Sequence, residues 1–275
     1  MLKMKKSKFY LLGIVDLMLM LSKINKAIKN PRKAIRYVLE GGEKGRRKKI
    51  LSLISDYKQD TASLNELQSF LGTDLTAYYN ELVRNQVYKQ VEMRLAENWR
   101  NLGAFGLTES RLLYTICRAT KPEIIIETGV ASGLSSTIFL LALEKNDKGH
   151  LYSIDLLPSE ELNVTIDQHT TIPRNKSVGW LVPDSLKKRW TLELGDSKKI
   201  LPAILNELKK CDLFLHDSNH TYEHMTWEYE TVWPFLKTML LSDDIYRHTA
   251  FDDFARKYKM KTHKISNRMG IIKLI

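Results

Sequence analysis

The sequence predicts an α/β protein: a seven-stranded, mostly parallel sheet with an antiparallel last strand, helices on both faces and a helical N-terminal extension. From residue 123 onward, short runs of β-branched and other apolar residues alternate with segments of helical periodicity. Before that point, in residues 61–100, apolar residues recur at helical spacing. Strands that alternate with helices form a parallel sheet covered on both faces.

The length and the charge distribution indicate one catalytic domain with an appended basic segment. The chain has 275 residues, with 43 Lys and Arg against 32 Asp and Glu. Residues 1–60 hold 16 of these basic residues and 5 of the acids, which leaves 27 of each kind in residues 61–275. The neutral remainder argues against nucleic acid as a partner, because nucleic-acid-binding domains carry a basic face. We expect three parts: a basic arm with an apolar helix (1–60), a helical lead-in (61–106) and the catalytic domain (107–275).

The N-terminal arm contains an apolar run of 13 residues, 9–21, that follows four lysines and is interrupted by Asp16. The run is shorter than the roughly 18 residues that span a bilayer, and no small-residue cleavage site follows it. It is typical either of a membrane-surface anchor, with residues 1–30 contacting anionic lipids, or of a helix that packs on its own domain or in a homo-oligomer. Cys117 and Cys211 lie in apolar contexts that favour reduced thiols. The sequence therefore predicts a cytoplasmic protein, which is membrane-associated if the arm is an anchor.

The predicted elements follow one another along the catalytic domain. A helix over 110–119 ends before Lys121-Pro122. Later elements are strands over 123–129, 150–155, 190–196, 212–217 and 239–244, helices over 135–145, 198–209, 222–236 and 249–257, and a closing hairpin of 261–266 and 270–275. The long connection over 156–189 is either a lid, with Trp180 stacking on a ring and Arg174 or Lys176 meeting an anionic group, or an ordered loop packed by its own tryptophan.

Five successive predicted strands end on an acidic residue. In parallel α/β sheets, ligands bind at the carboxyl ends of the strands. One acid at such a place is commonly a helix cap, but five in succession predict a set of carboxylates on the binding edge, suited to a cation, a polyhydroxyl ligand or a metal. The acids are Glu127, Asp155, Asp196, Asp217 and the pair Asp243 and Asp244.

The loop after the first strand reads Glu127-Thr-Gly129-Val-Ala-Ser-Gly133-Leu-Ser135. Gly129 permits the tight turn, and Gly133 lets the backbone approach a ligand before the helix N-terminus, whose N–H groups favour an anion. The sequence lacks the tighter G-x-G-x-x-G of dinucleotide folds and the Gly-Lys-Ser/Thr of phosphate loops. We therefore expect a ligand that carries a carboxylate rather than a pyrophosphate.

This E-x-G-x-x-x-G-x-S motif, followed by acids that end strands two and three, resembles the class I S-adenosylmethionine-dependent methyltransferases. The details resemble their metal-dependent O-methyltransferase branch, which includes catechol and macrolide-sugar enzymes. The resemblance runs from about Leu107 to Ile275 and implies a Rossmann-like fold with S-adenosylmethionine as cofactor. It implies that Asp155 binds the ribose hydroxyls and that Asp196 and Ser197 flank the adenine. The motif residues implied at the cofactor are Glu127, Gly129, Ala131, Gly133 and Ser135, with Gly129, Ala131 and Ser135 against the methionine portion.

The ends of strands four and five are where the resemblance implies catalysis. Three carboxylates from adjacent strand ends, Asp217, Asp243 and Asp244, can hold one hard divalent ion, which the resemblance implies is Mg²⁺. It also implies that His220, three residues after Asp217, is the general base. Two alternatives stay open: Asp244 caps the following helix, or His220 and Asp217 accept the proton without a metal. The family's usual Pro-Gly-Gly before strand five is absent, which leaves the depth of Asp243 undetermined.

The function that follows is O-methylation of a hydroxyl group on a small molecule or glycan, assisted by a divalent ion and by His220 and Asp217. The alternatives are an RNA methyltransferase guided by the basic arm and a cofactor-binding module without catalysis. His216, next to the predicted site, is expected to be a packed core histidine.

Overall fold

The computed structural model of the protein describes residues 63–82, 84–97, 107–156, 172, 176–266 and 268–274. The basic arm, with its apolar run and predicted membrane contact, and Arg174 of the predicted lid lie outside the described residues. Among the helices that the structure describes, none is long and apolar enough to cross a membrane.

The predicted helical extension is confirmed over its described residues. Residues 63–71 are helical, and α1 (Thr76–Leu82), α2 (Gln86–Glu97) and α3 (Leu107–Thr120) follow. Gly72, with φ of 72°, ends the first segment. The apolar residues that recur at helical spacing include the buried side chains Leu64, Leu67 and Leu75. These three leucines pack in one cluster with α3 and with the helix Leu134–Asn146.

The central sheet has seven strands in the order β3-β2-β1-β4-β5-β7-β6. Strands β1 to β5 pair in parallel, whereas β7 pairs antiparallel with both β5 and β6. The mostly parallel sheet and its antiparallel last strand are therefore confirmed. The strands are β1 (Ile124–Thr128), β2 (His150–Asp155), β3 (Trp190–Leu194), β4 (Cys211–His216), β5 (Leu236–Ser242), β6 (Thr262–Lys264) and β7 (Gly270–Lys273).

Helices cover both faces of the sheet because strand side chains alternate between its two sides. In β4, Leu213 and Leu215 belong to one buried cluster, with α3 and α4, and Phe214 belongs to the other, with α5, α6 and α7. The same alternation divides Ile125 from Ile126 in β1. The remaining helices are α4 (Leu134–Asn146), α5 (Ser197–Leu208), α6 (Tyr222–Val232) and α7 (Ala250–Lys257), with 3₁₀ turns at Asp184–Arg189 and Trp233–Phe235.

The boundary between α6 and β5 differs from the prediction. The helix ends at Val232 rather than at residue 236, and β5 begins at Leu236 rather than at residue 239. Pro234 explains the early end, because its ring fixes φ and it has no N–H for a helical bond; it occupies a 3₁₀ turn instead.

The depth of strand five is fixed without the family's Pro-Gly-Gly turn. A register shift between Cys211 and Leu213 absorbs the irregular start of β5, after which His216 pairs with Ser242. The N–H of Asp243 also donates to the carbonyl of His216, at 2.9 Å. Asp217 and Asp243 therefore follow their strands at the same level of the sheet.

Candidate functional site

The first loop lies against the end of β4. Gly129 has φ of 86°, and a side chain added there would collide with the backbone carbonyl of Asp217. Two features therefore require glycine at this position: the left-handed backbone conformation and the close approach of the two main chains. The sequence predicted the turn but not this contact, which joins the predicted cofactor loop to the predicted catalytic segment.

Residues 178–182 support the other side of the first loop. The N–H of Gly179 donates to Ala131 O at 2.9 Å, and the N–H of Leu181 donates to Ser132 O at 2.9 Å. A Cβ at Gly133 (φ 85°) would lie 2.8 Å from the Cα of Gly179, so the close approach at Gly133 in this structure is to the protein's own backbone. The end of the long connection therefore packs against the glycine loop.

Trp180 of the predicted lid contacts basic side chains. The guanidinium of Arg94 lies 5.4 Å from its ring centroid, and the ammonium of Lys176 lies 5.3 Å from it. Arg94 also donates to the carbonyl of Trp180 at 3.0 Å. These cation–π contacts hold the tryptophan between α2 and Lys176.

Asp155 is occupied by backbone N–H groups. Its Oδ2 accepts from Val130 at 2.9 Å and from Ala131 at 2.7 Å, and its Oδ1 accepts from Leu156 at 2.7 Å. Burial raises the pKa of Asp155, although the three backbone bonds oppose that shift. Sequence reasoning assigned this carboxylate to the ribose only; the structure adds that it fixes the conformation of the glycine loop.

Glu127 is fully buried beneath the same loop. Its Oε1 accepts from Ser153 Oγ at 2.6 Å and from Ser136 Oγ, whereas its Oε2 has no hydrogen-bond partner. Burial raises the pKa of Glu127 to about 7, against the opposing effect of hydrogen bonds from Ser136, Ser153 and Ser135. Glu127 and Ser135 thus belong to one cluster of buried polar side chains at the start of α4.

Asp196 and Ser197 lie at the start of α5. The exposed Asp196 is the N-cap of the helix, and its side chain accepts from the N–H of Lys198 at 2.9 Å. Capping explains the acid at this strand end. Ser197 Oγ lies 3.3 Å from Nε2 of His224, which is on α6.

The predicted catalytic residues come together after β4 and β5. Asp217, His220 and Asp243 each offer one atom to a group whose members lie within 4.8 Å of one another. His220 Nε2 is 3.6 Å from Asp217 Oδ1. Asp243 Oδ1 is buried without a hydrogen-bond partner. Burial, with the nearby charges of Asp243 and Asp244, raises the pKa of Asp217 well above its usual value.

Asp244 lies beside this group, with its Oδ2 3.9 Å from His220 Nδ1, and it also binds arginines. Its Oδ2 accepts from Arg247 Nε at 2.8 Å, and Arg268 Nη2 lies 3.0 Å from its Oδ1. The same Nη2 donates to Asp243 Oδ2 at 2.7 Å. Of the three predicted metal ligands, Asp217 and Asp243 share one group with His220, and Asp244 is held next to that group by two arginines. Sequence reasoning missed both arginines, which lie in turns and match no motif.

The donors of this group fit a hard divalent ion in part. Carboxylate oxygens are the ligands that Mg²⁺ prefers, and the buried, unpartnered Oδ1 of Asp243 is an acceptor that an ion would satisfy. The imidazole of His220 is a ligand better suited to transition metals. Asp217 and Asp243 would hold the ion, and His220 is then available for proton transfer.

Sequence reasoning also missed Glu228, a fully buried acid on α6. Its carboxylate lies 2.6 Å from His216 Nδ1, so His216 is buried as expected but has an acidic side chain as its partner. A sequence signal existed: His224 and Glu228 are one helical turn apart, and Glu228 interrupts the buried face formed by Met225, Tyr229 and Val232.

Comparison with known proteins finds a match over the part of the chain that holds this arrangement. Residues 126–245 match the family model described as a methyltransferase domain. This match covers the first loop and the acids after β4 and β5, and it confirms the resemblance to the class I S-adenosylmethionine-dependent methyltransferases. No curated protein matches the sequence.

Several solved structures are similar to this chain in fold. The O-methyltransferase TomG from Streptomyces achromogenes, solved with S-adenosylmethionine, is 14% identical with a TM-score of 0.50, over 70% of this chain and 90% of that one. A methyltransferase from Geobacter sulfurreducens is 19% identical with a TM-score of 0.49, over 70% and 90%. An O-methyltransferase from Bacillus cereus is 15% identical with a TM-score of 0.49, over 69% and 90%. At 14% identity the likeness to TomG establishes the Rossmann-like fold alone.

Proposed function

We propose that the protein is an S-adenosylmethionine-dependent O-methyltransferase that methylates a hydroxyl group of a small molecule or glycan. The observation that carries this proposal is the convergence of Asp217, His220 and Asp243 beside the first loop. Because Gly129 lies against the backbone of Asp217, a cofactor held by the loop is next to the acids and the imidazole.

The first loop supplies the cofactor site in this proposal. Asp155 already accepts from the N–H groups of Val130, Ala131 and Leu156, and a carboxylate has about four acceptor positions, so one position remains for a ribose hydroxyl. The cofactor named for TomG, S-adenosylmethionine, is a ligand of this kind. The N-terminus of α4, after Gly133, faces the amino-acid portion of the cofactor and favours its carboxylate.

His220 is the proposed base. Its Nε2 lies 3.6 Å from Asp217 Oδ1, where a carboxylate stabilises the imidazolium that forms. His248 Nε2, 2.9 Å from the carbonyl of His220, holds the backbone of this residue. A bound S-adenosylmethionine would supply the methyl group to the acceptor oxygen, with the electron pair of the S–CH₃ bond staying on sulfur, and His220 takes the hydroxyl proton at an imidazole nitrogen. A divalent ion held by Asp217 and Asp243 would lower the pKa of the acceptor hydroxyl.

A metal-free reaction is the second candidate, and the arginines favour it. Arg268 donates to Asp243 and Arg268 and Arg247 donate to Asp244, so part of the negative charge that would attract an ion is already neutralised. In this version His220 and Asp217 accept the proton as a pair. Contact with RNA or with a membrane through the basic arm stays a prediction.

The test combines cofactor binding with methyl transfer. Isothermal titration of the full chain with S-adenosylhomocysteine, the product of transfer, measures the first, and transfer of a labelled methyl group to a panel of hydroxylated small molecules and glycans measures the second. We expect binding, transfer that stops in EDTA and returns with Mg²⁺, and a loss of about 10²–10⁴-fold in His220→Ala. The control is His263→Gln, on β6 outside the acid group.

The possible results separate the candidates. Transfer that persists in EDTA supports the metal-free version. Transfer to RNA alone supports the RNA methyltransferase. Absence of S-adenosylhomocysteine binding contradicts the proposal.

A further inference from the structure

We propose that Glu228 is a positioning residue that holds the catalytic segment, residues 216–220, in the geometry that methyl transfer needs. Its carboxylate bonds residues on both sides of Asp217: Ser218 Oγ donates to Oε1 at 2.8 Å, and His216 Nδ1 lies 2.6 Å from Oε2. Asp217 is thus fixed between two residues that share one buried partner. This inference rests on the proposed function, because it gives the segment its role.

Glu228 also joins this segment to the first loop. Thr128, the residue before Gly129, donates its Oγ1 to Oε2 of Glu228 at 2.6 Å. The backbone repeats the connection, since the N–H of Asp217 donates to Thr128 O at 2.8 Å. One buried side chain on α6 therefore binds the ends of β1 and β4, which carry the proposed cofactor loop and the proposed base.

A fourth partner completes the shell of the carboxylate. His224 Nε2, one turn earlier on α6, lies 2.9 Å from Oε1 and 3.3 Å from Ser197 Oγ at the start of α5. The four partners thus divide into two on each oxygen, which is the acceptor capacity of an ionised carboxylate. Burial alone would raise the pKa of Glu228, but His216 and His224 hold it below its usual value.

Glutamine is the informative substitution because it has the same shape and half the acceptors. Its amide nitrogen faces either Thr128 and His216 or Ser218 and His224, and this nitrogen donates but cannot accept. Each orientation therefore loses two accepted bonds, and the hydroxyl and imidazole on that side keep a bond only if they change from donor to acceptor. Ser218→Ala is the milder test, since it removes a single bond and leaves the carboxylate in place.

The experiment measures order in the segment directly, by hydrogen–deuterium exchange of the full chain. The reporters are the N–H of Asp217, bonded to Thr128 O, and the N–H of Asp243, bonded to His216 O. We expect exchange at these amides to rise at least tenfold in Glu228→Gln and severalfold in Ser218→Ala. The matched control, Glu81→Gln, breaks a 2.8 Å ion pair with Arg118 and should leave both amides unchanged.

Turnover supplies the readout that a purely structural role would not move. With an acceptor from the panel above, Ser218→Ala should lower kcat about tenfold while its dissociation constant for S-adenosylhomocysteine stays within threefold of the wild type. Unchanged exchange in both variants, or an equal rise in every peptide, would overturn the proposal, as would an unchanged kcat. If Glu228→Gln does not fold, Ser218→Ala decides.

Failure of the two proposals can be told apart. If the wild type does not bind S-adenosylhomocysteine, the proposed methyltransferase function is wrong, and residues 216–220 then have no catalytic role for Glu228 to support. Normal binding and transfer with an undisturbed segment in both variants removes only the role of Glu228.

Discussion

Replacing Glu127 by glutamine should remove a pH dependence from the stability of the protein. Burial raises the pKa of this carboxyl to about 7 in the folded protein, against 4.5 as its ordinary value. A carboxyl whose pKa is raised on folding contributes stability that is complete below the unfolded value and is lost as the pH rises through the folded value. The window therefore runs from about pH 4.5 to about pH 7. A shift of this size corresponds to about 3 kcal/mol over the whole window.

The measurement is urea unfolding of the wild type and Glu127→Gln between pH 5 and pH 8. Glutamine is neutral at every pH, so the free energy of unfolding of the wild type should fall relative to that of the variant by about 2–3 kcal/mol across this range. The control is Glu207→Gln, at an exposed position of α5, whose difference from the wild type should stay constant. Parallel curves for the wild type and Glu127→Gln would refute the reasoning.

Three further predictions follow from the loop and the acids. Asp155→Ala should lower the free energy of unfolding in urea by about 2–4 kcal/mol, because three backbone N–H groups lose their acceptor. The same change should weaken S-adenosylhomocysteine binding. An unchanged stability would contradict this prediction. Gly129→Ala should lower the free energy of unfolding by more than the roughly 1–2 kcal/mol that an alanine in the left-handed conformation costs. Gly72→Ala is the control, because an added Cβ meets nothing within 4 Å, and its loss should not exceed that amount. Equal losses of melting temperature in the two variants would count against the main-chain contact. Arg268→Gln should raise the affinity for Mn²⁺ at least about tenfold, as measured by electron paramagnetic resonance. The reason is that a positive charge beside the acids costs a bound cation more than about 1 kcal/mol. Equal or weaker Mn²⁺ binding by the variant would contradict a competition between Arg268 and the ion for the acids.

Much of the fold could be predicted because local patterns and sheet geometry agree. The alternation of Leu213, Phe214 and Leu215 between two cores is the pattern of a strand buried on both faces. The error at the end of α6 arose where apolar spacing continued through Trp233 and Phe235, although Pro234 already ended the helix. A single proline outweighed the periodicity, and the strand began three residues earlier than predicted.

The site could be predicted only as far as strand ends determine it. Asp217 and Asp243 follow adjacent strands, so their approach is a consequence of topology. The arginine partners of Asp244 come from positions 3 and 24 residues away, and such pairs depend on the path of turns that no short motif encodes. Glu228 was missed for a similar reason, since three of its four partners lie 10 to 100 residues distant in the chain.

The contact between Gly129 and the main chain of Asp217 has a consequence for how the proposed enzyme can diversify. In the proposed reaction, the distance between the first loop and the segment after β4 is set by two polypeptide backbones in close contact, not by exchangeable side chains. Substitution of side chains around the methyl acceptor can therefore change which acceptor molecule binds, while the distance between the first loop and the segment after β4 stays constant.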